Sequence, residues 1–508
     1  MSTRGRAAVA GAVSALAALA ASELAAGALG PVPSLVESVG AVVIDVVPPG
    51  LKNWAIDTFG TGDKPALVVG IALTISLIGA WVGVAARRGF RVAVIGFGVL
   101  SAVGVAAAIA AGEPVIGAIV GGAIAGAVGL VALNWLFGRL RREEPGSAGE
   151  VDGGRRSFLA AVGVVVALAA LSTAAGRVIA DRAKRLVAGR EGVVLPTPVE
   201  AIGPPPAAAS LAIDELSPLI TPNDEFFRID TALSVPSVDL STWTLRVSGL
   251  VDEPYEIGYD ELLAMPMVER YVTLSCVSNT VGGSLVGNAK WLGVPLSAIL
   301  DRAGVRAGAD QLVGRSVDGF TVGFPTGVAF DGRDALVAVG MNDEPLPVDH
   351  GFPVRLVVAG LYGYVSATKW LSEIELTTWD AFDAYWVPRG WSKEAPVKTQ
   401  SRIDTPRHGK RFGAEPRAIA GVAWAPNTGI ARVEVQIDEE EWAEAQLAES
   451  LSDNSWRQWT MPWTPTPGDH HIRVRATDSS GYTQTGESAS PAPDGATGWH
   501  TIRVTVEG

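Results

Sequence analysis

Tyr271-Val-Thr-Leu-Ser-Cys276-Val-Ser-Asn279-Thr-Val-Gly282-Gly283 holds the single cysteine of a 508-residue chain. The β-branched and aromatic run from Tyr271 to Leu274 predicts a short buried strand. Turn-forming residues follow at once at Ser278, Asn279, Gly282 and Gly283. The thiol is therefore expected where a strand ends and a loop opens, a common place for chemistry on a rigid scaffold. A free cysteine taken alone is most often a small buried hydrophobe. A role for Cys276 has to come from its surroundings.

Three further stretches supply them. Downstream lies Asn288-Ala-Lys-Trp291-Leu-Gly293. Further on come Asp349-His350-Gly-Phe-Pro353-Val-Arg355 and Lys369-Trp370-Leu371, and upstream Ile220-Thr-Pro-Asn-Asp-Glu-Phe-Phe-Arg228-Ile-Asp230. In this order the stretches resemble the sulfite oxidase family of molybdopterin-dependent oxidoreductases, over about residues 219–506. The resemblance implies an α+β molybdopterin domain in which Cys276, in the family's Cys-x-x-Asn loop, is the ligand to molybdenum, with Ser278 and Asn279 beside the cofactor. A soft thiolate suits such a metal centre, and metal binding deprotonates the thiol. Carried over by position, His350 and Arg355 would hold the pterin's phosphate and ring edge, with Lys369 close by. Arginine's planar fork fits a phosphate oxygen pair. Arg228 is a candidate for a pterin or anion contact, and Tyr385, in Phe382-Asp-Ala-Tyr385-Trp386, for the substrate pocket.

The pattern departs from the family at two places. Sulfite oxidases carry arginines directly after Cys-x-x-Asn, where this chain has Thr280 and Val281. The family's Arg-Asn-His lacks its histidine here, and Asp230 or Thr231 stands in that neighbourhood. The substrate is therefore left open between a small oxyanion and an S- or N-oxide.

Around this domain the chain divides sharply. Residues 1–182 are rich in Ala, Val, Gly and Leu and poor in charge. Apolar segments near 7–29, 66–86, 92–111, 115–137 and 158–179 are each close to the about 20 residues that cross a bilayer. Arginines at 4, 6, 87, 88, 91, 139, 141, 142, 155 and 156 mark one side, so the positive-inside rule predicts a cytoplasmic N-terminus and an extracytoplasmic second half. Arg155-Arg156-Ser-Phe158-Leu159 resembles the twin-arginine export motif, which suits a domain exported already folded around its cofactor. Lys184, Arg185 and Arg190 are expected at lipid headgroups. The apolar part of residues 35–60, including Val42–Ile44 and Trp54–Ile56, is expected along the outer interface.

Residues 183–210, rich in Pro and Ala, are expected to be a linker, and 211–397 the molybdopterin domain. From 398 to 508 short alternating strands with regular turns predict an all-β, immunoglobulin-like sandwich, similar to the family's dimerisation domain. The net charge of −13, mostly in the second half, excludes nucleic acid as a partner. None of the five histidines falls in an apolar segment, and one cysteine cannot hold a cluster, so neither haem nor an iron–sulfur centre is expected. Electrons would then pass to a separate carrier or to quinone. The sequence thus predicts a multi-domain, membrane-anchored oxidoreductase acting on a small-molecule substrate, and its C-terminal domain type implies a homodimer. A receptor or assembly protein that keeps the fold without catalysis is the alternative.

Overall fold

The computed structural model describes residues 3–29, 32–48, 51, 58–59, 62–141, 151–187, 189–232, 235–236 and 238–508, and the chain forms two compact units. Trp54–Ile56 and Arg142 lie outside the described residues.

The first unit is helical: α1 (Thr3–Ala28), α2 (Leu35–Val46), α3 (Asp63–Ala85), α4 (Phe90–Ala110), α5 (Val115–Arg141) and α6 (Val151–Val187). Among the described residues, five helices are long and apolar enough to cross a membrane, by length and composition. Their close approach depends on missing side chains. A Cβ placed on Gly11 of α1 would lie 2.0 Å from the Gly79 carbonyl oxygen, and one on Gly83 2.2 Å from the Ala7 oxygen. Small residues at such crossings let backbones touch and gain dispersion contacts. The outward faces stay apolar, with Leu77, Trp81, Ile95, Ile116 and Leu171 exposed. Residues 35–46 are a helix capped by the Ser34 hydroxyl, which accepts from the Glu37 amide. Leu35 belongs to the bundle core, so this segment is packed into the unit. Helix α6 runs unbroken through Arg155 and Arg156, and Phe158 of that motif is buried in the same core.

The second unit begins at Val187. Its α+β part has strands β1 (Thr244–Gly249), β2 (Tyr255–Gly258), β3 (Val268–Ser275), β4 (Val286–Pro295), β5 (Gln311–Ser316), β6 (Thr321–Pro325), β7 (Ala335–Met341), β8 (Glu344–Pro345), β9 (Arg355–Val358) and β10 (Leu371–Thr377). One sheet runs β2-β1-β10-β5-β6; the other runs β3-β4-β7-β8, with β9 also on β7. Helix Leu296–Ala303 is closed by Gly304 at φ 68°, a left-handed turn that glycine adopts without strain.

The C-terminal part is two sheets. Strands β11 (Gln400–Thr405), β12 (Arg411–Gly413), β13 (Arg417–Trp424), β14 (Ile430–Ile437), β15 (Ala443–Glu444), β16 (Gln446–Leu447), β17 (Arg457–Trp463), β18 (Gly468–Asp478) and β19 (His500–Glu507) pair as β11-β13-β17-β16 and β12-β19-β18-β14-β15. Inward residues of both, such as Ile419 and Trp459 against Val433, Ile472 and Ile502, share one core.

Part of the expected linker, 183–210, is held by hydrogen bonds to the rest of the second unit. The Val199 amide donates to the Met267 carbonyl, Ile202 to the Glu269 carboxylate, and Leu211 to Gln458. Ala209 is fully buried beside Trp424 and Trp456. Proline removes donors but leaves carbonyls and flat apolar surface, so a Pro/Ala stretch can be laid down as a strap. Arg190 likewise does not reach for headgroups. It pairs with Glu344 at 2.9 Å and donates to the carbonyls of Pro345 and Leu346.

Candidate functional site

The end of β3, the start of β9 and the turn before β10 converge on one cavity in the second unit. Cys276 follows β3 directly, Arg355 opens β9 opposite Ala338 of β7, and Lys369 precedes β10. All three line the cavity with His350, Asp230, Phe226, Phe227, Phe320, Tyr364, Trp370 and Trp386. The opening segment brings its phenylalanines there. Thr221 donates from its amide to the Asn288 carbonyl, and Phe226 closes a turn onto the Pro222 carbonyl. Phe226 then stacks on Phe227 and meets the edges of Trp291 and His350.

The thiol is held by its loop. The Cys276 amide donates to Leu285, and the Asn279 side-chain oxygen accepts from the Leu285 amide at 2.9 Å. Asn279 therefore ties the loop and is absent from the cavity wall. Burial pushes the Cys276 thiol up, while the amide and hydroxyl of Ser278 pull the other way. Any metal ion taken here has to displace that proton.

The two cavity cations differ. Arg355 is buried and, among the described residues, has no carboxylate partner. It donates to the His350 carbonyl at 3.1 Å and lies over the Trp291 ring at 5.0 Å. Burial lowers it to about 9, so it stays charged at neutral pH. Lys369 is paired with Asp230 at 2.8 Å and also donates to the Asp349 carbonyl. Burial, opposed by Asp230, lowers it to about 8. Gly351, at φ 110°, makes this approach possible: a Cβ there would stand 3.0 Å from the Lys369 backbone.

The structure brings Cys276, His350, Arg355 and Lys369 to one cavity, and it places the other candidates as follows. His350 Nε2 donates to the Asn223 carbonyl at 2.8 Å, and burial lowers the imidazole to about 4. It is neutral, and that nitrogen is already used. Arg228 is outside the wall, bound to Asp230 at 2.9 Å and to Asp349. Tyr385 is outside it too, since Arg389 stacks on its ring at 3.7 Å and its neighbours Phe320 and Trp386 take the wall. Tyr364 and Asp230 were missed as wall residues. For Asp230 the one available signal was an acid standing where the family pattern has a histidine.

A buried guanidinium with no carboxylate partner among the described residues, lining one cavity with a lone thiol, fits a group that brings both an anion and a thiolate-binding metal. The family described as "Oxidoreductase molybdopterin binding domain" matches residues 232–386. Mitochondrial sulfite oxidase of Homo sapiens is 27% identical over 345 residues, 56% of this chain and 62% of that protein. The chain thus spans less than two thirds of that relative's length. The uncharacterized oxidoreductase YuiH of Bacillus subtilis is 34% identical over 153 residues, 30% of this chain and 74% of that protein. Among solved structures, the sulfane dehydrogenase SoxCD of Paracoccus pantotrophus aligns with a TM-score of 0.49 at 23% identity, over 62% of this chain and 89% of that one.

Proposed function

The chain belongs to the sulfite oxidase-like family of molybdopterin-dependent oxidoreductases, and on that premise we propose that it is a membrane-anchored, extracytoplasmic enzyme that transfers an oxygen atom to or from a neutral S- or N-oxide couple. The observation that carries the reading is the buried Arg355, without a carboxylate partner among the described residues, lining one cavity with Cys276. In this reading Cys276 is the metal ligand and Arg355 holds the cofactor's phosphate. When bound, the molybdenum–molybdopterin group supplies the two-electron change that accompanies oxygen-atom transfer.

The chain's own residues do the rest. Ser278 stabilises the thiolate over the thiol. His350, neutral and fixed on Asn223, carries the backbone carbonyl that accepts from Arg355. Phe226, Phe227, Phe320 and Trp386 exclude water from the cavity. The choice between oxyanion and neutral substrate follows from charge accounting. Arg355 would be taken by the phosphate, and Lys369 and Arg228 share the carboxylates of Asp230 and Asp349, so among the described residues no spare cation lines the cavity to meet an oxyanion. Desolvating a divalent anion in an aromatic cavity without one is unfavourable by several kcal/mol.

The apolar helices and the one-sided arginines support an anchor with the catalytic unit outside and export through Arg155-Arg156-Ser-Phe158-Leu159. The two-sheet C-terminal part supports an immunoglobulin-like domain of the dimerising kind, and electrons would exchange with a separate carrier or quinone. The test is a substrate panel on the loaded protein. Viologen-driven reduction of sulfoxides and N-oxides is expected, with sulfite oxidation at least about a hundredfold slower in kcat/KM. Sulfite as the preferred substrate would overturn the assignment of substrate class.

A further inference from the structure

The C-terminal β domain grips the Cys276 strand and loop at four points. Strand β3 is an edge of its sheet, and edge strands leave backbone groups open to other partners. Here the Thr273 amide donates to the Asn454 carbonyl, and the Trp456 amide donates to the Thr273 hydroxyl at 2.7 Å. At the far end of the loop, Arg402 of β11 donates from Nη1 to the Gly283 carbonyl at 2.8 Å. Its other nitrogens are spent on Asp404 and on the Ser217 hydroxyl. One buried guanidinium thus spans three segments. His500, at the start of β19, is fixed by the Ile403 amide, which donates to its Nδ1 at 2.9 Å. Its ring lies flat against Gly282: a Cβ there would be 2.2 Å from His500 Cδ2, and φ is +76°. Only glycine satisfies both the turn and the contact.

We propose that Arg402 and His500 are positioning residues that lock the Cys276–Gly283 loop, so that the C-terminal domain sets the placement of the metal-ligating thiol as well as any contact between copies. The proposal rests on the reading of Cys276 as the ligand only for its catalytic meaning; the locking itself is a property of the protein without cofactor. Rigid placement of a ligand by a surrounding shell is what keeps a metal site in its productive geometry.

The chain's single cysteine makes the test direct. Full-length protein from a host unable to make molybdopterin is labelled with iodoacetamide, and the rate is compared among wild type, Arg402→Gln, Arg402→Lys and His500→Gln. Lys410→Ala, which loses an exposed ion pair to Glu215, and the core substitution Ile502→Val serve as controls. Labelling is expected to rise at least about tenfold in Arg402→Gln and His500→Gln, partly recover in Arg402→Lys, and stay at the wild-type rate in Lys410→Ala. If one substitution prevents folding, the other carries the test. Wild-type rates in both, or a rise that merely follows the fall in Tm as in Ile502→Val, would overturn the proposal. In loaded protein the same variants should shift the thiolate-to-metal absorption. Faster labelling in variants of a protein that takes up no molybdenum would leave the lock standing and remove its catalytic meaning.

Discussion

Arg355 and Lys369 stand on two walls of the same cavity, both buried, and their surroundings differ in one respect. Among the described residues the Arg355 wall offers carbonyls and the Trp291 face but no carboxylate partner, whereas the Lys369 wall already holds Asp230. Burying a charge without a counter-charge is costly, and proteins keep such groups where a ligand supplies the missing partner. On the proposed reading the first wall receives an anion, whereas the second already has its carboxylate.

The largest effect separates the walls by cofactor retention. Arg355→Met should lower bound molybdenum at least tenfold, in line with the about 2–5 kcal/mol lost on truncating a buried charge pair. It should leave the Tm of cofactor-free protein unchanged or higher, because a desolvated charge has gone. A fall of cofactor-free Tm by 5 °C or so would break the comparison.

Next, Asp230→Asn should destabilise cofactor-free protein by about 3 kcal/mol, since Lys369 loses its buried partner. Asp230→Asn with Lys369→Met should restore most of it. Urea titrations of both, beside wild type, give the coupling, and additive losses would sink the idea of a closed pair.

A smaller effect concerns pH. Lys369 sits at about 8 in the folded chain against an ordinary 10.5. Between those values the unfolded chain binds more protons, so this group makes stability rise with pH across the window, by up to about 3 kcal/mol. Below about pH 8 its penalty is constant. The difference in slope between wild type and Lys369→Met isolates the contribution, and equal slopes would refute it. The smallest expected effect is at Tyr385. Tyr385→Phe should change kcat by less than about threefold, because the ring lies outside the cavity wall.

These contrasts also mark what could be read from the chain. The β3 strand and its thiol loop were legible because a β-branched and aromatic run, turn residues and a unique cysteine coincide within thirteen positions. The ion pair between Asp230 and Lys369 was not, since partners 139 residues apart leave no local trace. Residues 183–210 read as a linker because composition reports flexibility and says nothing of the surface that a segment meets. Tyr385 and Tyr364 are equally plausible wall tyrosines by sequence. Arg389 decides between them, through a stacking contact that only the fold reveals. The helices were legible in length and number, and their glycine-mediated crossings follow from the same small-residue bias.

The central claim is that Cys276 binds a molybdenum centre. Metal analysis of protein made in a host that synthesises molybdopterin, wild type beside Cys276→Ser, tests it most directly. The account predicts near-stoichiometric molybdenum in wild type and an altered metal-centre spectrum in the variant. Well-folded wild-type protein without molybdenum would contradict it and favour a receptor or assembly role for the same fold.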